Sequence, residues 1–475
     1  MAYPPSMKTL KRGFVGKSLA ALWFALCLFI HASYLQAEEP RPNILLIVSD
    51  DQGYADTGFQ GSQEIRTPHL DQLAKSGVLC TSGYVSHPFC SPTRAALMTG
   101  RYQQRFGHVY NPFYNPSDEK EGLPLSEKLL PEYLHAAGYV TGWIGKWHLG
   151  AAPAFAPEKR GFDEGFGFIG GGHHYFNWKT NAGEYNIPIL RNGEAVDVPE
   201  HYTGRVGSEA ETFVKNHATH PWFLYLAFNA PHTPHEPTPE RVTQFSPIKN
   251  RQRARYAAQI SLMDDAIGDL LTTLEATHQS ERTLIFFFTD NGGPLNAGAV
   301  NTPLRGGKGD TYEGGVRVPF LVSWPGHLAA GTKYDQPVSS LDVFATSLAL
   351  ASTKMPTDKP YDSVNLLPYL RGENKSAPHD RLFWRTGTGQ KAALREGDWK
   401  LVRAEHQPDE LYHLSSDIGE SNNLASTESV QLKQMSATLD AWEKQMPPPA
   451  FIGTSFKDKI AETNTPPAKP GKTEL

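Results

Sequence analysis

Apolar residues in this chain gather into short unbroken runs, with longer stretches of helical period between them. The stretch 42–49 holds Ile44, Leu45, Leu46, Ile47 and Val48 without interruption, and 222–228 and 283–288 are built the same way. Runs of strand length that do not alternate predict strands covered on both faces, the pattern of a parallel sheet. Further strands are predicted at 139–145 and 320–324. Helices are predicted at 67–74, where Pro68 suits a first turn, and at 129–137, which Gly138 stops. The longest helix is predicted from Arg251 to Leu274. Its apolar stripe runs through Ile260, Met263, Ile267, Leu270, Leu271 and Leu274, leaving Asp264 and Asp265 on or beside the polar face.

From about Asp380 the pattern changes. Ala392–Arg395 and Trp399–Val402 flank the turn Glu396-Gly397-Asp398, which predicts a hairpin. Another short strand follows at 410–414 and a helix at 430–445. The expected architecture is α/β: a large mixed, mostly parallel sheet flanked by helices, plus a small C-terminal subdomain with an antiparallel sheet and a helix. The expected boundaries are a leader at 1–37, a main domain at 38–379, the subdomain at 380–445 and a loosely ordered tail at 446–475.

The leader is read from Lys8, Lys11, Arg12 and Lys17, which precede an apolar run from Leu19 to Ile30, with Ala37 as a small residue for cleavage. The run is short for a bilayer span, which needs ~20 residues. An exported protein, periplasmic or secreted, is expected, with no stable membrane insertion after cleavage. Net charge is −5 for the whole chain and becomes −9 without the four leader cations. That balance argues against nucleic acid as a partner. Beyond the leader only Cys80 and Cys90 remain, too few for a disulfide scaffold in a chain of this size. They could pair with each other. A chemically special Cys90 beside a core Cys80 is the alternative.

Chemistry collects where the buried runs end. The first ends in Asp50-Asp51, and carboxylates at the end of a buried strand require compensation. The run 139–145 ends in Lys146-Trp147-His148, whose Lys146 and His148 face one side if the backbone stays extended. The run 222–228 leads to His232, and 283–288 leads to Asp290-Asn291; Lys308 follows in a glycine-rich loop. Ligands of open α/β sheets gather at such strand ends. Asp50, Asp51, Asp290 and Asn291 offer only oxygen donors, which suits Ca²⁺, with Mg²⁺ possible. Arg94, Lys146, His148, His232 and Lys308 add the cationic and proton-carrying groups that fit a tetrahedral oxyanion ester, sulfate or phosphate. A glycine- and aromatic-rich stretch at 161–176 suits a sugar-binding rim, as it suits a packed loop.

The remaining motif is His87-Pro88-Phe89-Cys90-Ser91-Pro92-Thr93-Arg94, followed by Ala95 through Arg101. Pro92 fits a first helical turn and Gly100 a helix end, so Cys90 is expected at a helix N-terminus, where anions are favoured. Cys-x-Pro-x-Arg, with Met98-Thr99-Gly100-Arg101 after it, resembles the motif of type I, formylglycine-dependent sulfatases of the alkaline phosphatase superfamily, among them the bacterial polysaccharide sulfatases and arylsulfatases. The Asp-Asp, Gly-Lys-Trp-His, Pro-His, Thr-Asp-Asn-Gly and Gly-Gly-Lys segments follow in that family's order. Glu410-Leu411-Tyr412-His413-Leu414 and Asn422-Asn423-Leu424 resemble its C-terminal subdomain.

The resemblance implies an alkaline phosphatase-like fold and hydrolysis of sulfate esters. It implies a Cys90 oxidised by a formylglycine-generating maturation enzyme, hydrated to a gem-diol, and joining Asp50, Asp51, Asp290 and Asn291 around Ca²⁺. One hydroxyl attacks sulfur, and His148 deprotonates the other to expel sulfate. Arg94 steadies the hydrate, Lys146 and Lys308 hold sulfate oxygens, and His232 or Lys308 assists the leaving oxygen. The expected substrate is a sulfated polysaccharide or oligosaccharide, a carrageenan-type galactan or a glycosaminoglycan, with His173, His174, Arg105 and Trp178 as candidate sugar contacts. A phosphodiesterase or phosphonate monoester hydrolase of the same superfamily is the enzymatic alternative. A non-catalytic binder of sulfated glycans is the alternative if Cys90 is unconverted.

Overall fold

The computed structural model describes residues 1–5, 41–176 and 185–453. Most of the expected leader, Trp178 and most of the expected tail lie outside the described residues. The described residues from Pro42 onward form one compact unit. Its sixteen described strands are β1 (Asn43–Ser49), β2 (Val78–Cys80), β3 (Gly83–Tyr84), β4 (Val140–Lys146), β5 (Glu164–Phe168), β6 (Ile189–Arg191), β7 (Glu194–Val196), β8 (Trp222–Ala227), β9 (Thr283–Thr289), β10 (Phe320–Ser323), β11 (Thr332–Tyr334), β12 (Val338–Ser339), β13 (Arg381–Thr386), β14 (Lys391–Glu396), β15 (Trp399–Ala404) and β16 (Glu410–His413).

Ten of them make the main sheet in the order β11-β2-β10-β9-β1-β8-β4-β5-β6-β7. Its centre, β9-β1-β8-β4-β5, is parallel throughout. β10 runs antiparallel to β9 and β2, and β6 and β7 add an antiparallel edge. The unbroken apolar runs follow from two-sided burial. Ile44, Leu46, Val48, Phe286 and Phe288 enter one core, with Leu97, Met98, Leu130, Leu134 and Phe344 from the helices on that face. Leu45, Ile47, Ile285 and Phe287 enter the other, with Leu70, Leu73, Val206, Phe213, Met263 and Ile267.

The expected helices appear at Pro68–Ser76, Leu130–Ala136 and Arg251–Ala276. Asp264 departs from its expected place. It is buried, and its carboxylate accepts from the amides of His69 and Leu70 at 3.1 and 2.8 Å, so it caps the Pro68 helix from a neighbouring element. Cys80 and Cys90 are both free and buried, with no disulfide between them. The C-terminal sheet is antiparallel in the order β13-β14-β15-β16. The helix Ser429–Glu443 packs on it through Met435, Leu439 and Trp442, which join Leu394, Leu401 and Leu411. β13 was not anticipated from the pattern. No helix among the described residues is long and apolar enough to cross a membrane.

Candidate active site

The parallel centre brings the carboxyl ends of β9, β1, β8 and β4 side by side. Asp290 and Asn291 follow β9, Asp50 and Asp51 follow β1, His232 lies beyond β8, and Lys146 closes β4 with His148 two residues on. Adjacent residues of a strand point to opposite faces. Two consecutive aspartates can serve one centre because the chain leaves the extended conformation at Asp51, which stands at φ 66. His148 does likewise at φ 59, so it reaches the site through a left-handed turn after Lys146; the extended alternation expected from its spacing is not what aims it.

Cys90 opens the helix Cys90–Thr99, two residues earlier than a start at Pro92 would place it, and Gly100 ends it in the left-handed conformation at φ 65. The helix carries Arg94 under the strand ends. Arg94 Nε and Nη2 donate to Asp290 Oδ2 at 2.9 and 2.7 Å, and Nη1 donates to Tyr225 Oη and the Lys146 carbonyl. Lys146 Nζ donates to Asp50 Oδ2 at 2.5 Å. Lys308 Nζ reaches Asp51 at 2.7 Å, Asn291 Nδ2 donates to Asp51 Oδ1 at 2.7 Å, and His232 Nε2 lies 3.6 Å from Asp51 Oδ2. Cys90 Sγ lies 3.5 Å from Asp50 Oδ1.

Three buried carboxylates, Asp50, Asp51 and Asp290, thus face three cations, Arg94, Lys146 and Lys308. The surroundings set the protonation states. Burial, followed by the charge of Asp50, raises the Asp290 carboxyl above its ordinary value. Burial works the same way on Asp51, but Lys308 and then His232 outweigh it and hold that carboxyl well below the usual range. Burial, reinforced by Lys146 and Arg94, pushes His148 well below the ordinary imidazole value, and burial takes His232 to about 3 against the pull of Asp51. Both imidazoles are therefore neutral and able to accept a proton. Burial, with Asp290 and Asp50 beside it, pushes the Cys90 thiol far up. A thiol so held stays protonated, and the thiolate is the nucleophilic form.

Ligand atoms of Asp50, Asp51, Cys90 and Asp290 all lie within 4.8 Å of one another. Asn291 Oδ1 beside them is buried without a hydrogen-bond partner. This set fits a hard divalent cation: three carboxylates and an amide oxygen supply charge and donors, and the sulfur is the only soft atom among them.

The group opens into a cavity of about 390 Å³ lined by Cys90, His148, His232 and Lys308, and by Asn111, Pro112, Phe113, Tyr114, Gly171, Tyr185, Asn186 and Ile187. The segments 111–114 and 185–187 carry no hydrophobic period and no charge cluster, so only their asparagine, proline and aromatic content marked them, and sequence reasoning passed them over. Of the four sugar-contact candidates, Arg105 is held by Asp362 through two hydrogen bonds of 2.7 Å. His174 is held by Glu236, and the buried His173 faces the carbonyls of His174 and Ile187. None of these three lines the cavity. Trp178 lies outside the described residues.

Comparison with known proteins accounts for the arrangement. The family model "Sulfatase" matches residues 42–353, and "N-sulphoglucosamine sulphohydrolase, C-terminal" matches 308–445. Human N-acetylgalactosamine-6-sulfatase is 39% identical over 397 residues, 75% of this chain and 74% of its own. Bovine arylsulfatase A is 35% identical over 460 residues, 86% of this chain and 87% of its own. The solved structure of Ps i-CgsB in complex with k-i-k-neocarrahexaose superposes with a TM-score of 0.84 at 38% identity, covering 90% of this chain and 98% of that one. With the model match spanning well over half of the chain and falling on every strand end described above, the chain belongs to the sulfatase family and is a sulfuric ester hydrolase.

Proposed function

We propose that the protein is an exported, formylglycine-dependent sulfatase that removes sulfate from sulfated oligosaccharides or polysaccharides, of carrageenan-type galactan or glycosaminoglycan chemistry. The observation that carries this is the character of position 90. A thiol kept protonated by burial and two carboxylates is a poor nucleophile, and its sulfur is a soft donor in a cradle of hard oxygens. An oxygen-bearing side chain there removes both conflicts. Oxidation of Cys90 to formylglycine by a separate maturation enzyme, followed by hydration, supplies that oxygen.

Asp50, Asp51, Asp290 and Asn291 would hold Ca²⁺, with Mg²⁺ as the alternative. When bound, the cation neutralises the crowded carboxylates and favours an ionised oxygen at position 90. The protein's own groups then divide the work. The hydrated side chain presents one hydroxyl to sulfur, the S–O bond to the alcohol breaks, and the alcohol leaves with a proton from Lys308, since the neutral His232 has no acidic proton to give. His148, neutral and lining the cavity, takes the proton of the second hydroxyl, so that sulfate is expelled and the aldehyde returns. Lys146 and Lys308 each use one ammonium proton on an aspartate, which leaves donors for sulfate oxygens. Arg94 holds Asp290 in place.

The glycan assignment is supported by the neocarrahexaose bound to Ps i-CgsB, by the acetylgalactosamine sulfate ester named for the human relative, and by a cavity far larger than a sulfate group. Two measurements test the reading. The mass of the Cys90 peptide should fall to that of the aldehyde form, and sulfated carrageenan and glycosaminoglycan oligosaccharides should be turned over where matched phosphate esters are not. An unmodified Cys90 in fully active enzyme, or Cys90→Ala that still hydrolyses aryl sulfates, would overturn it.

A further inference from the structure

The residue after Cys90 is committed to the segment that carries His148. Ser91 Oγ lies 2.6 Å from the His148 carbonyl oxygen and 2.7 Å from His108 Nε2. A carbonyl only accepts, so the hydroxyl donates there and accepts from His108. Burial, opposed by a hydrogen bond to the Gly122 backbone, lowers His108 to about 3; with the Ser91 proton committed to the carbonyl, the imidazole N–H is assigned to Nε2. The result is a directed chain from His108 Nε2–H through Ser91 Oγ–H to the His148 carbonyl, with all three residues buried. The Ser91 amide also donates to Asn111 Oδ1 at 3.1 Å, which ties the cavity wall to the same residue.

His148 needs such support. A non-glycine residue at φ 59 persists only where its surroundings enforce it. Its Nδ1 is buried without a hydrogen-bond partner, so no bond through that atom fixes the ring. The ring is confined from one side by the Gly171 backbone, where an added Cβ would come within 2.9 Å of Nε2. The flanking backbone is pinned where Trp147 N–H donates to the Phe168 carbonyl and Leu123 N–H to the Leu149 carbonyl, and at His148 itself the turn is held through its carbonyl.

We propose that Ser91 and His108 are positioning residues for His148: their hydrogen-bond chain locks the left-handed turn that aims the imidazole at position 90. This rests on His148 acting as the base in the function proposed above. Neither residue touches the substrate in this reading, so their loss should lower kcat and leave binding alone.

The test is steady-state hydrolysis of an aryl sulfate and of a sulfated carrageenan oligosaccharide, with rates normalised to the converted fraction of Cys90 measured by peptide mass. H108L lies outside the maturation motif and should lower kcat on the order of 10- to 100-fold with KM within about twofold. H108Q, whose amide can still donate to Ser91, should recover most of it. S91A should behave like H108L, S91T should retain activity, and the H108L/S91A double variant should be little worse than either single one, because both break the same chain. Wild-type kcat in H108L, H108Q as poor as H108L, or losses that add in the double variant would overturn the proposal. His148→Ala separates the two readings: if it stays active, the assignment of the base fails; if it is inactive while H108L keeps wild-type kcat, only the positioning role fails.

Discussion

Glu420 offers a test of the electrostatics away from the reacting centre. It is buried where the C-terminal sheet meets the short helix Glu313–Val316. Its Oε2 accepts from the Glu313 amide at 2.7 Å, while its Oε1 has no hydrogen-bond partner. Lys400 Nζ lies 3.6 Å from that oxygen but bonds Glu313 Oε1 at 2.6 Å, so one buried lysine serves two buried carboxylates. Burial, opposed by Lys400 and aided by the charge of Glu313, pushes the Glu420 carboxyl from 4.5 to about 7. A difference of that size corresponds to about 3 kcal/mol. Between pH 4.5 and 7 the folded protein keeps a proton that the unfolded chain has released, so stability falls as pH rises through this window and levels off above it. Glu313, whose carboxyl Lys400 and Arg317 hold below its ordinary value against burial, is ionised in both states over the upper part of the window and adds no slope there. Glu420→Gln mimics the protonated carboxyl, and its amide oxygen can still accept from Glu313. Guanidinium unfolding at pH 5, 7 and 9 should therefore give a variant-minus-wild-type stability that rises by about 3 kcal/mol from the lowest to the highest pH, at unchanged m value. A difference that stays constant with pH, or that favours the wild type more as pH rises, would refute the reasoning.

Other consequences can be measured on the same enzyme. Arg94→Met leaves Asp290 buried without its guanidinium partner and should destabilise the protein by about 3–5 kcal/mol in denaturant unfolding, with turnover lost; a cost under ~1 kcal/mol would mean the pair is dispensable. Gly100→Ala forces a side chain into a left-handed residue whose Cβ would meet the Phe344 ring at 2.6 Å, and a loss of about 1–3 kcal/mol is expected in the same assay. Dialysis against a chelator should abolish hydrolysis, and Ca²⁺ should restore it; full activity in chelator would remove the cation from the mechanism.

The parts of the fold that were legible are those whose environment is uniform along the chain. Ile44–Val48 and Leu284–Phe288 are covered on both faces by separate cores, so each apolar run marks its strand to within one residue at either end. β2, β3, β11 and β12 have two or three residues each and cannot display a period, so β10's place between β9 and β2 came only from the structure. Asp264 was misplaced because a helical wheel counts neighbours on its own helix, whereas its partners are the amides of His69 and Leu70. At the site, the acids stood out because a carboxylate that closes a buried strand needs a counterpart. The left-handed turns at Asp51 and His148 were illegible because neither position is glycine. His174 and Arg105 looked available in sequence because their partners, Glu236 and Asp362, are 62 and 257 residues away.

The charge balance explains why a cation and the sulfate ester must be considered together. Asp50, Asp51 and Asp290 against Arg94, Lys146 and Lys308 leave the cluster formally neutral, and both imidazoles are held neutral by burial. A monoanionic ester that enters such a site loses its water and gains no net attraction from the group as a whole. A divalent cation held in the carboxylate cradle would turn the same cluster positive. It also draws on Asn291 Oδ1, which has no other partner. Cation and ester binding are then coupled, and coupling is reciprocal: each raises the affinity for the other by the same factor. The lysines and Arg94 are thereby left with a second task. They keep three buried carboxylates in a dry site from repelling one another.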